Sequence, residues 1–305
     1  MLLSILANLA GLFGLVVWPL MTAQTIDVSA FSENGQIVFL ERAYRAGAPY
    51  KKNNISLGVD VTAQSAIIVD KRTDFVLWQK NPAELRSLAS LTKLMSALVF
   101  LDHNPGWQSV VTIQPGDYRE GGRIYVYAGE QIFVSDLFQA SLLASSNNAT
   151  AALARSTGLS AEEFVNEMNL KAQSLGMAQS HFVEPTGLDP GNVTTANDLV
   201  KLIKVAFAQA EIASATSRPE FSFNVLNAPR HYTLTNTNQL VGSYLKIEAG
   251  KTGYLDEAGY CLTSLVKGPD RQEIYVVVLG SLGEFERFQE LKALAQWAFD
   301  HYYWP

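Results

Sequence analysis

The sequence predicts an α/β (α+β) fold, a mostly antiparallel sheet flanked by helices with a helical lobe inserted into it. Three observations carry this expectation. Strand-like segments lie at 65–78 and again at 259–279, helix-period segments fill the stretch between, and an amphipathic helix closes the chain. A sheet assembled from both ends of a region leaves its middle as an insertion, here about residues 90–220.

The elements follow in order. Residues 24–57 mix Ser, Asn, Gly and Pro with the pair Lys51-Lys52 and show little periodicity, so they read as a linker. Ser65–Asp70 and Phe75–Trp78, joined by Lys71-Arg72-Thr73-Asp74, read as a β-hairpin. Leu91, Leu94, Met95, Leu98 and Val99 mark one face of a helix that Asn104-Pro105-Gly106 ends. Ser135 is placed to cap a second helix carrying Leu137, Ala140 and Ala144. Ser160-Ala161-Glu162-Glu163 is a capping box opening a helix with Phe164, Met168 and Leu175, and Gly176 closes it. Thr195-Ala196-Asn197-Asp198 begins another, with Leu199, Leu202 and Ile203 on one face. Gly259–Val266 and Glu273–Leu279 are β-rich, and Phe288, Leu291, Ala295 and Phe299 line the final helix. The chain contains no internal repeat.

Composition bounds the function. With 305 residues, 48% hydrophobic and 17% charged, the chain can bury a large core, which excludes a disordered or collagen-like protein. Twenty-three Lys and Arg against 29 Asp and Glu give a net charge of −6, which argues against a generally basic nucleic-acid surface. The one cysteine, Cys261, excludes an internal disulfide framework and a Cys-cluster metal site, and its apolar strand-like setting reads as a small buried hydrophobe. Met1 to Ile26 carries no charge, and Leu2–Met21 is nearly continuous apolar sequence. As a helix it would reach about 30 Å, the thickness of a bilayer core. Residues 1–23 therefore read as a signal peptide or an N-terminal membrane anchor, the anchor running through 1–22. Either sends the rest outside the cytoplasm, with the folded domain over 58–305.

Three short motifs carry chemistry. Ser90-Leu91-Thr92-Lys93 opens a helix, so Lys93 sits one turn from the Ser90 hydroxyl. A lysine whose pKa is lowered by burial or a neighbouring cation can act as its general base, and the helix N-terminus offers N–H groups to an oxyanion. The same spacing recurs at Ser243…Lys246 and Ser264…Lys267, but the latter pair is in a strand, where odd spacing points side chains to opposite faces. Ser145-Ser146-Asn147 places a hydroxyl and an amide on a loop between helices; a plain helix-ending turn has the same pattern. Lys251-Thr252-Gly253 occurs once and puts a cation and a hydroxyl beside a glycine, suited to a carboxylate approaching the backbone.

Together and in this order, 55 and then 106 residues apart, the motifs resemble the S-x-x-K, S-x-N and K-T-G set of the penicillin-recognising serine enzymes. Arg86–Met95, Phe182–Leu188 (FVEPTGL), Thr195–Leu199 and Lys251–Leu262 are similar to the serine D-alanyl-D-alanine carboxypeptidases, the low-molecular-mass penicillin-binding proteins of peptidase family S11. FVEPTGL and Asn236-Thr237-Asn238 look closest to the endopeptidase branch. The resemblance covers about residues 60–302 and implies a penicillin-binding-protein/serine β-lactamase-like fold. It implies peptidoglycan stem peptides as substrate and β-lactam antibiotics as covalent inhibitors, with no metal, organic cofactor or nucleic-acid partner. Ser90 would be the nucleophile, Lys93 its base, Ser145 the proton relay helped by Lys251, and Asn147 a holder of the substrate amide. Thr252 would bind the terminal carboxylate beside Gly253, the N–H groups of Ser90 and Tyr254 would form the oxyanion hole, and Arg287 matches an arginine near that carboxylate.

The chain departs from the pattern at two places. Asn148 stands where many members carry Asp, and Ala249-Gly250 precede K-T-G where a Gly and an aliphatic residue are usual. The 52 residues after Gly253 give room for two strands and a helix, so if the protein is membrane-held its N-terminal segment must hold it. Gly116–Gln131, charged and carrying three tyrosines, reads either as a wall of the substrate groove or as a solvated surface loop. The leading expectation is a D-Ala-D-Ala carboxypeptidase, outside the cytoplasmic membrane, with cross-link-cutting endopeptidase as the alternative. More distant are a serine β-lactamase, since Glu162-Glu163-Phe164-Val165-Asn166 mimics its E-x-x-x-N loop, and a catalytically silent wall-binding module. A Ser-His-Asp hydrolase lacks a histidine in a suitable context: His103 and His301 end helices, and His181 and His231 flank no G-x-S-x-G.

Overall fold

The computed structural model describes residues 30–33, 36–39, 47–52, 56, 58–122 and 125–305. The expected signal peptide or anchor at 1–23 lies outside the described residues. Ala30–Glu33 and Gln36–Phe39 pair as an antiparallel hairpin in a unit of their own.

The second unit is built on a five-stranded sheet, antiparallel throughout, in the order Lys246–Leu255, Gly259–Lys267, Glu273–Ser281, Ser65–Asp70, Val76–Lys80. The two ends of the domain do meet at its centre, where Val277 faces Ile67. These strands read as unbroken apolar runs because both faces are covered, and the period of two sorts their residues. Ile67, Val69, Leu265, Tyr275 and Val277 join one core with the helical lobe. Their neighbours Ala66, Ile68, Val266, Ile274, Val276 and Val278 join a second, sealed by Phe288, Leu291, Leu294 and Ala298 of the final helix, Glu284–His301. Cys261 is fully buried, and burial lifts its thiol pKa to about 11, as a small hydrophobe should behave.

Between the two sheet halves lies the lobe, with helices α1 (Thr92–Asp102), α2 (Val134–Leu142), α3 (Asn147–Ser156), α4 (Ala161–Ser174), α5 (Ala196–Ala206) and α6 (Ala210–Ser217). The Glu284–His301 helix is α7. In α1 the residues from Thr92 to Phe100 are all buried, so this helix is enclosed all round. The Ser160 capping box forms as expected, and Thr195 caps α5 by accepting from the Asp198 N–H.

Two expectations change. Ser135 does not cap α2, which starts one residue earlier after extended Phe133. The backbone carbonyls of Ser109 and Trp107 take the N–H groups of Val134 and Ser135, so no side-chain cap is needed there. The domain also begins before residue 58. Tyr50–Lys51 pairs with Tyr302–Tyr303, and Trp297 Nε1 donates to Ser56 Oγ at 2.7 Å. That strand is two residues long, too short to show a period.

Leu291, fully buried between α7 and the sheet, tests the second core. Leu291→Ala is expected to lower unfolding free energy by about 2–5 kcal/mol, read from the midpoint of urea unfolding.

Candidate active site

Ser90 lies in the 3-10 turn Ala89–Leu91 that runs into α1. Ala89 holds the left-handed conformation (φ 46°), sparse for a residue with a Cβ, and this bends the chain so that Ser90 emerges at the helix start. A short antiparallel pair fixes the approach: Arg86 and Ser87 face Thr194 and Val193, and the Leu88 N–H reaches the Asn192 carbonyl at 2.9 Å.

Lys93, one turn on, is completely buried, and its Nζ meets three oxygens. These are Ser90 Oγ at 2.9 Å, Asn147 Oδ1 at 2.6 Å and the Thr186 carbonyl at 2.5 Å. Asn147 opens α3, and its Nδ2 donates to the Gly121 carbonyl at 2.9 Å. That carbonyl can only accept, so it turns the amide and presents Oδ1 to the lysine. Burial pulls the Lys93 pKa down to about 7, against the opposing pull of the Glu184 carboxylate.

Ser145 stands between α2 and α3 with φ 58°, while Ser146 caps α3 by accepting from the Ala149 N–H. Lys251 Nζ donates to Ser145 Oγ at 2.8 Å and to the Thr252 carbonyl at 2.9 Å. Lys251 is buried too. Burial first, then the Lys93 and Arg287 charges, hold its pKa well below the usual lysine range. Mutual depression of the two lysines thus appears on Lys251, whereas on Lys93 burial dominates. All three motifs therefore converge, and their side chains are already hydrogen-bonded to one another.

Gly253 lets the Lys246–Leu255 strand come this close. A Cβ there would stand 3.1 Å from both the Ser90 N and the Leu88 carbonyl oxygen. Thr252 Oγ1 donates to Thr237 Oγ1 at 2.6 Å, which brings the Asn236-Thr237-Asn238 segment into the site. Arg287, in the first turn of α7, is buried; its Nη1 donates to the Gly253 carbonyl at 3.1 Å, and its guanidinium stands over the Tyr260 ring. It braces this strand directly. The Tyr254 ring is half-exposed and stacks on Tyr260 with centroids 4.3 Å apart.

Gly116–Gln131 adjoins the site through the Gly121 carbonyl, and the Arg119 N–H donates to Asn148 Oδ1 at 3.0 Å. Asn148 Nδ2 donates to the Val126 carbonyl, a donor that an aspartate could not supply. Glu163 is engaged by the capping box, so the E-x-x-x-N mimic at 162–166 is a helix start. Among the described residues, no cluster of three His, Cys, Asp or Glu side chains is placed to hold a metal, and no helix is long and apolar enough to cross a membrane.

Sequence reasoning missed Thr186, Gly187 and Glu184. Their signal is a carboxylate followed by Pro-x-Gly, a turn that frees several N–H groups for one acceptor. Gly187 has φ 84°, and a Cβ on it would fall 2.0 Å from the Ala89 carbonyl oxygen.

Comparison with known proteins agrees with this geometry. The family described as D-alanyl-D-alanine carboxypeptidase, Peptidase S11, matches residues 51–282. A D-alanyl-D-alanine endopeptidase of Pseudomonas aeruginosa is 34% identical over 259 residues, spanning 83% of this chain and 82% of that protein. A D-alanyl-D-alanine endopeptidase of Escherichia coli is 33% identical, over 78% of this chain and 77% of that protein. A D-alanyl-D-alanine carboxypeptidase of Bacillus subtilis is 32% identical over 79% of this chain, but only 63% of its own length is covered. Among solved structures, penicillin-binding protein D2 of Listeria monocytogenes in a cefotaxime-bound form superposes with TM-score 0.71 at 28% identity, covering 80% of this chain and all of that one. The Streptomyces K15 DD-transpeptidase shares the fold with TM-score 0.76 at 24% identity, covering 80% and 100% of the two chains. The chain belongs to the D-alanyl-D-alanine carboxypeptidase family, peptidase family S11, and its fold is the penicillin-binding-protein fold.

Gly187→Ala combines a left-handed backbone with a contact against main chain. It is expected to cost more than about 1–3 kcal/mol, seen as a lowered thermal midpoint, whereas Gly158→Ala, with open space around its Cβ, tests backbone strain alone.

Proposed function

We propose that the chain is a serine DD-peptidase that cleaves the bond after the penultimate D-Ala of peptidoglycan stem peptides through an acyl-enzyme on Ser90. One observation carries the reading. Of the three groups facing Lys93 Nζ, the Thr186 carbonyl and Asn147 Oδ1 can only accept, so only the Ser90 hydroxyl can donate. A neutral lysine satisfies both acceptors with its two N–H groups and turns its lone pair to Ser90 Oγ. With a pKa of about 7, roughly half of the Lys93 population is in that form at neutral pH.

The steps then follow. Lys93 takes the Ser90 proton as Oγ attacks the D-Ala carbonyl, and the oxyanion forms toward the Ser90 and Tyr254 N–H groups. As the C–N bond breaks, Ser145 gives its proton to the leaving amine and is reprotonated through Lys251. The proton that Lys93 took from Ser90 refills Lys251, which leaves Lys93 neutral again. Lys93 then takes a proton from the water that attacks the ester and returns it to Ser90 Oγ as the acyl C–O bond breaks. Asn147 would keep one amide hydrogen for the substrate while the other stays on Gly121. Thr252 would turn its hydroxyl from Thr237 to the substrate carboxylate, with Arg287 adding positive charge behind that strand.

Two leaving groups fit this chemistry. Release of terminal D-Ala is the reading from the family as a whole. Cleavage of D-Ala cross-links is favoured by the two endopeptidase relatives, which the match covers to 82% and 77% of their lengths. In both cases the domain would work outside the cytoplasm, behind a leader or anchor in residues 1–23, and β-lactams would acylate Ser90.

Fluorescent penicillin should label the wild type with a persistent adduct, and Ser90→Ala should abolish it without unfolding the protein. Rapid loss of the adduct with penicillin turnover would replace this reading with a β-lactamase. Chromatography of digested muropeptides separates the two leaving groups, since free D-Ala and split dimers are distinct products. The acylation rate should fall about tenfold per pH unit below about 7, because protonation of Lys93 removes the base, and should level off above it.

A further inference from the structure

We infer that Glu184 is a positioning residue for the reaction, holding the 184–192 loop so that the Thr186 carbonyl and a compensating negative charge are set against the Lys93 amine. The inference rests on the acyl-enzyme reading above. Its first support is geometric. The Glu184 carboxylate accepts from the Thr186 N–H at 2.7 Å, the Thr186 hydroxyl at 2.6 Å, the Gly187 N–H, the Leu188 N–H at 2.9 Å and Asn192 Nδ2 at 2.9 Å. A turn that gathers its own N–H groups around one side chain leaves its carbonyls pointing outward, and the Thr186 carbonyl is the one that Lys93 uses.

The second support is that the loop is tied to the nucleophile's own turn. Asn192 Nδ2 also reaches Thr92 Oγ1, the first residue of α1, at 3.2 Å, and its backbone carbonyl holds the Leu88 N–H. Gly187 is pressed on the Ala89 carbonyl with no room for a side chain. Moving the donors gathered on the Glu184 carboxylate would therefore move the Ser90 turn and the Lys93 acceptor together.

Charge supplies the third. The charged groups that bear on Lys93 are Glu184 from this loop and Lys251 from the adjoining strand, with Arg287 acting on Lys251 behind it. Glu184 is the anion among them. It raises the affinity of Lys93 for a proton against the larger, lowering effect of burial, and so stabilises the lysine after it has taken the Ser90 proton.

The test is the pH dependence of acylation by fluorescent penicillin, followed in wild type, Glu184→Gln and Glu184→Asp, with melting curves to establish folding. Glu184→Gln removes the anion, so the acidic limb should move to lower pH by about half a unit or more, with a plateau rate about tenfold lower or worse. Glu184→Asp keeps the charge but draws it back by one methylene. Its limb should stay near the wild-type position, while its plateau falls. A Glu184→Gln limb that coincides with wild type overturns the inference, whatever happens to the rate. If Glu184→Gln does not fold, Glu184→Asp carries the test, and acylation at the wild-type rate overturns it. A wild type that is never acylated overturns the acyl-enzyme reading as well, so the two failures are distinguishable.

Discussion

The constraint on which this structure turns is a buried lysine amine. Removing an ammonium from water is costly unless each of its hydrogens finds an oxygen, and even then the charged form is disfavoured. Lys93 is completely enclosed and is given three oxygen partners from three separate parts of the chain. One comes from its own turn, one from the first residue of α3 and one from the 184–192 loop. Each of those parts must be in place for the amine to be tolerated. The requirement therefore binds together segments up to 93 residues apart, and it brings Ser90 and Lys93 into contact.

The second lysine extends the same logic to the sheet. Lys251 reaches Ser145 from the edge strand Lys246–Leu255, and the two lysines sit close enough for the charge on one to disfavour charge on the other. Two neighbouring amines that resist simultaneous protonation form a natural pair of proton donor and acceptor. The strand can carry Lys251 that far because Gly253 removes the side chain that would strike the Ser90 turn. Arg287 then steadies the strand from behind, with its guanidinium on the Gly253 carbonyl.

Much of this was legible in the chain. The three-residue spacing of Ser90 and Lys93 at a helix start, the capping box at Ser160 and the apolar runs of the central strands all follow local periodicities, and the structure has them. What local patterns could not show is contact between distant segments. The two-residue pairs, Arg86–Ser87 with Val193–Thr194 and Tyr50–Lys51 with Tyr302–Tyr303, have no period to read, yet one positions the Ser90 turn and the other moves the domain boundary. Ser135 misled because a helix start can be satisfied by the main chain of a remote loop as well as by a side chain. Glu184 was visible only as part of a family segment, because its importance lies in the ring of N–H groups that the turn folds around it.

Ala89 and Ser145 both hold left-handed backbone conformations, one beside the proposed nucleophile and the other at the proposed relay. Each such residue carries on the order of 1–3 kcal/mol of strain that a core sealed on both faces of the sheet can absorb. Asp74, Asn81 and Arg271 share that conformation away from the site, but at Ala89 and Ser145 the strain that could be relaxed for heat resistance lies within the proposed reacting centre. Laboratory evolution screened only for survival at high temperature would be drawn to relax these bends, and would harvest robust proteins with displaced serines. Screening that alternates heating with turnover would instead direct improvement into the surface loops and the second core, where robustness and chemistry are not in competition.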